Sequence, residues 1–226
     1  MSEERQLLSG NEAIALAALH MGVSLGTGYP GTPSTEILER FSALGGRAQW
    51  APNEKVALEV GIGVAYGGAR ALVTMKHVGV NVAADPLFTV AYTGVRGALV
   101  LVSADDPGMA SSQNEQDNRR YAKAAGVMML EPADAQEAYA FTRIAFELSE
   151  TWNLPVMLRV TTRVCHSKGV VTPEDPSPSE KALEFVRDFQ SYVMVPAYAR
   201  PAHRRLRAKL EKITDWNEHA PVNRVV

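Results

Sequence analysis

Ala98-Leu99-Val100-Leu101-Val102-Ser103 is a continuous apolar and β-branched run, and it decides the fold. A strand with one wet face alternates apolar and polar residues, whereas this run does not alternate. A run of this kind is typical of a parallel strand that helices cover on both faces. We therefore expect an α/β protein in which residues 98–103 form a central strand.

The segments on either side of this run alternate between strand and helix patterns. Helices are predicted over residues 11–19, 33–44, 54–66, 83–92 and 133–148, and strands over residues 23–28, 48–50, 69–75, 127–130 and 156–160. Alternating strands and helices place helices on both faces of a sheet through right-handed crossovers. The expected fold is a doubly wound, mostly parallel sheet flanked by helices on both faces.

The composition changes after residue 168. Residues 173–178 are rich in proline and read as a linker, and residues 202–212 form a basic helix pattern. Nearby acidic residues balance these basic charges, so we expect a solvated helix face. The predicted organisation is one α/β domain over residues 1–168, followed by a linker and a helical extension over residues 169–226.

Charge and hydropathy exclude several classes of partner. The 226 residues carry 23 basic and 25 acidic side chains, so no long-range field attracts nucleic acid or an anionic membrane. No apolar run reaches the roughly 18 residues of a membrane span, and the first residues lack the apolar stretch of a signal peptide. Cys165 is the single cysteine and cannot supply the four thiolates of an iron–sulfur cluster. We expect a cytoplasmic protein that binds neither nucleic acid nor membranes.

Gly26-Thr27-Gly28-Tyr29-Pro30-Gly31 has the spacing of a dinucleotide-binding loop, between a predicted strand and a predicted helix. Pro30 weakens this interpretation, because it removes an amide that should face the phosphates. The helix is also predicted to start only at Thr32-Pro33. A non-catalytic nucleotide-binding module that uses this loop stays open as an alternative.

The segment Tyr29-Pro30-Gly31-Thr32-Pro33-Ser34 resembles the Tyr-Pro-x-Thr-Pro-Ser loop of thiamine-diphosphate-dependent 2-oxoacid:ferredoxin oxidoreductases. The resemblance continues through Pro52-Asn53-Glu54-Lys55 and residues 76–86. It extends to residues 105–118 and 192–197, where it is typical of the α subunit of the indolepyruvate-type enzymes. It therefore covers essentially the whole chain.

This resemblance implies a cofactor held in a cleft between two similar α/β domains, of which this chain is similar to the pyrimidine-binding (PYR) domain. Glu54 stands at the motif position of the carboxyl group that hydrogen-bonds the pyrimidine ring nitrogen N1′ and so promotes proton removal from the thiazolium C2. Asn53 is the predicted helix cap before it. From spacing alone, Glu54 could merely complement the helix dipole, an effect of ~0.3–1 kcal/mol. Asp85 and Glu59 remain possible carboxylates.

The resemblance also implies further site residues. Pro30 is expected beside the cofactor, and Thr32 corresponds to a hydroxyl that faces the substrate carboxylate, although Thr32 could instead be a plain helix cap before a proline. Lys76 and His77 follow a predicted strand and are expected near the substrate, with His77 also near the cofactor. Residues 105–118 are expected to form a lid or an interdomain contact, with a solvated loop as the alternative.

The chain lacks two features that the complete enzyme needs. It contains no Gly-Asp-Gly element for Mg²⁺ and the diphosphate, and it lacks the cysteines for iron–sulfur clusters. These features are expected on a diphosphate-binding domain and a second subunit, with ferredoxin and coenzyme A as further partners. The chain is then an inactive half site, either part of a longer α subunit or a natural split subunit, and forms a homodimer. The alternative is a PYR subunit of a non-redox 2-oxoacid decarboxylase.

Overall fold

Six parallel strands form the main sheet of the computed structural model, which describes residues 5–179 and 181–223. In chain order the strands are β1 (Gln6–Ser9), β2 (Leu25–Gly28), β3 (Ala48–Trp50), β4 (Arg70–Lys76), β5 (Ala98–Asp105), β6 (Met128–Leu130), β7 (Val156–Thr161) and β8 (Lys168–Val171). The order across the main sheet is β3-β2-β4-β5-β7-β6, and β1 pairs with β8 in a separate antiparallel ribbon. The predicted doubly wound, mostly parallel fold is confirmed.

Helices cover both faces of this sheet. They are α1 (Gly10–His20), α2 (Thr35–Ala43), α3 (Glu54–Tyr66), α4 (His77–Val82), α5 (Ala84–Thr93), α6 (Arg119–Ala125), α7 (Ala135–Trp152), α8 (Thr162–His166), α9 (Phe189–Tyr192) and α10 (Pro196–Asn217). Helix α1 packs against α2 and α7, whereas α3 and α10 pack against α5. Every residue of β4 and β5 is buried between these layers, so the predicted central strand is indeed central.

Local sequence signals fix where several helices begin. Ser9 caps α1 in a capping box with Glu12, and Asn53 caps α3 by accepting a hydrogen bond from the amide of Val56. Helix α2 begins at Thr35, two residues after Pro33, because a turn closes first: the amide of Ser34 donates to the carbonyl of Gly31.

The segment after residue 168 is bound to the domain at several points. The predicted boundary between residues 168 and 169 lies inside β8, which pairs with β1. Further along, the amide of Ser177 donates to the carbonyl of His20, and the buried guanidinium of Arg70 donates to the carbonyl of Ser177 at 2.7 Å. Helix α10 buries Leu206 and Ile213. The division into two units stays a prediction, but residues 169–171 belong to the ribbon.

None of the helices in residues 5–179 and 181–223 combines the length and the apolar character that a bilayer crossing requires.

Candidate cofactor site at the carboxyl edge of the sheet

The strand order creates a switch point between β2 and β4. After β2 the chain moves outward to β3, and it then returns to place β4 on the other side of β2. At such a point the loops leave in opposite directions and open a crevice at the carboxyl ends of the strands, where α/β proteins bind ligands. The predicted site residues all lie at this edge, either at the end of β4 or in the segments that follow β2, β3 and β4: Pro30, Thr32, Glu54, Lys76 and His77.

Glu54 is the first residue of α3 and its side chain is half-buried. Within the described part of the chain, its carboxylate accepts no hydrogen bond and joins no ion pair. The neighbouring Lys55 instead binds the other two candidate carboxylates, Asp85 at 3.2 Å and Glu59 at 3.9 Å, on the exposed side of the helix. Glu54 is therefore the carboxylate that is left for a ligand at this edge.

The backbone of α4 lies directly against the Glu54 side chain. A Cβ atom placed on Gly79 would lie 2.5 Å from Cγ of Glu54 and 2.7 Å from its Oε1. At these distances, any side chain at position 79 would require the carboxyl end of Glu54 to move. Glu54 thus packs on bare backbone between α3 and α4.

Lys76 and His77 are buried at the same edge, beneath residues 106–117. The ammonium of Lys76 donates to the carbonyl of Ser111 at 2.6 Å, and the ring Nε2 of His77 lies 2.9 Å from the carbonyl of Asn114. Since a carbonyl only accepts, Nε2 carries the proton in this contact. The other ring nitrogen, Nδ1, is buried without a partner among the residues that the structure describes. A ligand reaches these two side chains only when the covering loop moves.

Buried polar anchors hold this loop in place. The carboxylate of Asp106 accepts hydrogen bonds from the amide of Ser111 at 2.8 Å, the hydroxyl of Ser112 at 2.5 Å and the hydroxyl of Thr162 at 2.9 Å. These hydrogen bonds, that of Ser112 above all, hold the pKa of Asp106 well below its usual range against the opposing effect of burial. Residues 107–111 between the anchors are exposed. The loop is thus anchored at its base, and its tip is exposed to solvent.

At the far end of the loop, Asn118 donates to the carbonyl of His77 at 3.1 Å and to the hydroxyl of Ser103 at 2.8 Å. Ser103 in turn donates to Asp105, which pairs with the buried Arg159 at 2.7 Å. Sequence reasoning missed this network. Polar residues at the end of the apolar run of β5, and an arginine inside the apolar pattern of β7, were the available signals.

Pro30 and Thr32 are exposed at the mouth of the crevice. The alternative role of Thr32 as a helix cap is wrong, because Ser34 occupies the cap position and Thr35 accepts the hydrogen bond from the amide of Gly31 at 2.8 Å. A Cβ atom on Gly31 would lie 3.4 Å from Cβ of Lys76, so this loop lies against the end of β4. The hydroxyl of Thr32 is available to a ligand.

Two glycines of the candidate dinucleotide loop, Gly26 and Gly28, lie where neighbouring elements pack closely against β2. A Cβ atom on Gly26 would lie 2.8 Å from Leu38, and one on Gly28 would lie 2.6 Å from the carbonyl oxygen of Thr74. These glycines therefore allow α2 and β4 to approach β2 closely. This packing removes the main support for a nucleotide site in the loop.

No group of three or more histidine, cysteine, aspartate or glutamate residues within 5–179 and 181–223 is arranged to hold a metal ion. Cys165 is buried in α8, and burial raises the pKa of its thiol. Cys165 therefore packs as an apolar residue.

The fold and the site together define an α/β ligand-binding domain, with a carboxylate presented at the switch point of a parallel sheet. Residues 16–219 match the family described as "Pyruvate flavodoxin/ferredoxin oxidoreductase, thiamine diP-bdg", and the chain belongs to this family. The resemblance drawn from the motifs is confirmed.

Curated relatives agree with this assignment. The chain is 47% identical to the indolepyruvate oxidoreductase subunit IorA of Archaeoglobus fulgidus, over 97% of this chain and 37% of that protein. It is 44% identical to the subunit of the same name from Pyrococcus abyssi, over 97% of this chain and 35% of that protein. A 2-oxoglutarate synthase subunit KorA from Methanothermobacter thermautotrophicus is 28% identical, over 86% of this chain and 57% of that protein. The chain thus spans little more than a third of the length of its most similar relatives among these.

A solved structure supports the fold. The 2-oxoglutarate:ferredoxin oxidoreductase from Magnetococcus marinus, determined with 2-oxoglutarate, coenzyme A and succinyl-CoA bound, superposes with a TM-score of 0.77 at 16% identity. The match covers 94% of this chain and 45% of that chain. At this identity the likeness concerns the fold alone.

Proposed function

We propose that this chain is the pyrimidine-binding half of a thiamine-diphosphate site in an indolepyruvate-type 2-oxoacid:ferredoxin oxidoreductase. The observation that carries the proposal is the carboxylate of Glu54, half-buried at the switch point and without a partner in the described residues. The family and the names of the curated relatives supply the class of reaction. A free carboxylate suits the cofactor, because it can form a hydrogen bond with the N1′ of an aminopyrimidine.

When bound, thiamine diphosphate supplies a nucleophilic carbon and an electron sink for decarboxylation of a 2-oxoacid. Glu54 hydrogen-bonds the pyrimidine ring nitrogen and holds a proton there, which is the contribution of a general acid–base group. Pro30 contributes an apolar contact beside the ring. The remaining chain supplies orientation and the exclusion of water.

Thr32, Lys76 and His77 are proposed to bind the carboxylate of the 2-oxoacid. Thr32 offers an exposed hydroxyl, and Lys76 offers a buried ammonium whose partner is a carbonyl oxygen of the covering loop. A substrate carboxylate would be a stronger partner for this ammonium than a neutral carbonyl, since hydrogen bonds between charged groups are roughly twice as strong. Substrate binding is therefore coupled to movement of residues 106–117. His77 lies next to Lys76, and its proposed role is to face the cofactor side of the same crevice.

The remaining parts of the reaction belong to other domains or subunits. The sequence has no Gly-Asp-Gly element, so Mg²⁺ and the diphosphate are held by a diphosphate-binding domain, and the iron–sulfur clusters by the rest of the enzyme. Ferredoxin takes the electrons and coenzyme A takes the acyl group in that assembly. The chain alone then turns over no 2-oxoacid. Detectable oxidation by the purified chain, without an added subunit, would contradict the half site.

The test compares Glu54→Gln with Glu59→Gln in the complete enzyme. Glu59 lies one turn further along α3, is exposed and pairs with Lys55, so it serves as a matched control. The rate of C2 proton exchange of bound thiamine diphosphate, followed by NMR, is expected to fall about 100-fold or more in Glu54→Gln and to stay unchanged in Glu59→Gln. Equal exchange rates in Glu54→Gln and the wild type would overturn the role of Glu54.

A further inference from the structure

Gly79 lies in the middle of the short helix α4, a position where glycine lowers helix stability. Glycine weakens a helix relative to alanine, and Gly79 does not have a positive φ angle that would require it. Neither local backbone geometry nor helix propensity therefore explains the residue. The explanation must come from what lies opposite.

The three atoms nearest to a Cβ atom built on Gly79 all belong to one side chain. The three heavy atoms nearest to a Cβ built at this position are Cγ, Oε1 and Cδ of Glu54, at 2.5, 2.7 and 2.9 Å. Real Cβ atoms essentially never come this close to other atoms. Even the smallest side chain at position 79 would thus displace the carboxylate of Glu54 first.

Other glycines of the domain differ from Gly79 in this respect. In α3, a Cβ atom on Gly61 would strike Val73 in the core at 2.4 Å, whereas one on Gly63 would meet nothing within 4 Å. Gly61 is therefore a packing glycine and Gly63 is a neutral one. Gly79 instead faces the flexible end of the half-buried Glu54 side chain.

We propose that Gly79 is a positioning residue for the site, because its bare backbone forms the wall that holds the Glu54 carboxylate at the mouth of the crevice. The catalytic consequence rests on the proposed function, whereas the geometric part does not. The prediction for Gly79→Ala is a folded protein whose Glu54 carboxylate has moved. Glu54→Gln has the opposite character, since it keeps the position and changes the chemistry.

The first experiment measures position in the chain itself, without cofactor. The Gly79→Ala and Gly63→Ala variants are compared with the wild type by crystallography and by ¹³C NMR of protein labelled with ¹³C in its glutamate residues. The Glu54 signal is assigned by its loss in Glu54→Gln. We expect the Glu54 carboxyl signal and position to change in Gly79→Ala alone, with a midpoint of thermal unfolding no lower than that of the wild type. An unmoved carboxylate in Gly79→Ala would overturn the proposal, and so would an equal change in Gly63→Ala.

The second experiment is a mutant cycle in the complete enzyme, read as C2 proton exchange of bound thiamine diphosphate. Gly79→Ala is expected to slow exchange at least about tenfold, since a displacement of roughly 1 Å can cost 100-fold in rate. In the Glu54→Gln background the same substitution should have no further effect, because Gly79 acts only through Glu54. Additive losses would show that Gly79 acts by another route and would overturn the proposal.

The two experiments distinguish a failure of the proposed function of Glu54 from a failure of the positioning role of Gly79. If Glu54→Gln leaves exchange unchanged while Gly79→Ala moves the carboxylate, the proposed function fails and the positioning contact stands. If Glu54→Gln slows exchange while Gly79→Ala changes neither position nor rate, the positioning role fails and the proposed function stands.

Discussion

At the scale of single residues, carboxylates at the same edge of the sheet have opposite surroundings. Glu54 is half-buried and keeps its oxygens free of partners in the described residues, whereas Asp106 is almost fully buried and accepts three close hydrogen bonds. A free carboxylate can bind a ligand, and a saturated one holds a loop. Under the proposed function, Glu54 supplies chemistry at the site and Asp106 holds the covering loop.

Asp106→Asn tests how strongly the hydrogen bonds of Asp106 anchor the covering loop. Because the pKa of Asp106 is lower in the folded chain than its ordinary value of 3.8, the ionised form stabilises the fold above that value. This contribution is lost as the pH falls through the lower, folded-state pKa. The substitution should lower the free energy of unfolding by roughly 1–2 kcal/mol at pH 7, since an amide replaces an acceptor of three hydrogen bonds.

Urea unfolding of wild type and Asp106→Asn measures this difference at pH 7 and at about pH 3. The difference should shrink at the lower pH, because the Asp106 carboxyl group of the unfolded wild-type chain takes up a proton there while that of the folded chain stays ionised. Asp85→Asn is the control, since Asp85 is exposed and forms only a surface pair with Lys55. A difference that stays constant with pH would contradict the assigned pKa shift.

Site features that depend on neighbouring residues in the sequence could be predicted, whereas contacts between residues far apart in the sequence could not. The position of Glu54 in the first turn of α3, after its cap Asn53, was predicted because the two residues are adjacent in the sequence. The role of Glu54 came from the resemblance and stays a prediction. The burial of Lys76 depends on Ser111, which is 35 residues away, and the wall at Gly79 depends on how α3 and α4 pack. Neither contact leaves a pattern in the sequence.

At the scale of elements, α3 carries two glycines with opposite environments. Gly61→Ala should destabilise the protein by about 1–3 kcal/mol, because its methyl group would overlap Val73 in the core. Gly63→Ala should stabilise it by about 0.5–1 kcal/mol, because alanine restricts the unfolded chain and the site has open space. Chemical denaturation of both variants checks the pair. A shift in the same direction for both would show that helix propensity, and not packing, governs the two positions.

Helix boundaries followed the sequence where caps and periodicity agreed, as in α1 and α3. Helix α4 was missed, because its six residues include three β-branched valines and a glycine, which are poor helix formers. It forms because β4 ends at the switch point and the chain must turn back over the sheet. Tertiary structure thus decides this element, and it is the element that carries Gly79.

At the scale of the whole molecule, the class of fold followed from the buried strands, but their order did not. The pattern of residues 98–103 required a central strand, and β5 is fully buried beside β4 and β7. Nothing in the sequence says that β4 returns to the far side of β2. That choice creates the switch point, and with it the place where Glu54, Lys76 and the loop of Thr32 come together.

The carboxyl edge of the sheet also presents exposed apolar side chains, which leads to the last prediction. Tyr29, Trp50, Val82 and Met109 are 41%, 43%, 51% and 48% exposed, and they lie at or after the carboxyl ends of four neighbouring strands. In the proposed enzyme the diphosphate-binding domain covers this edge. The isolated chain should therefore self-associate through it, since exposed apolar patches favour contact with another surface.

Light scattering over a range of concentrations measures this association, with homodimers as the expected species. Trp50→Lys should shift the equilibrium to the monomer, because a charge in the contact must lose its hydration. Phe185→Lys is the matched control, since Phe185 is 84% exposed and lies beside the amino ends of β2 and β4, away from the site. A wild-type chain that stays monomeric at high concentration would count against the interface, and so would equal weakening by both substitutions. Addition of the rest of the enzyme should compete with the homodimer, because both use the edge that presents Glu54.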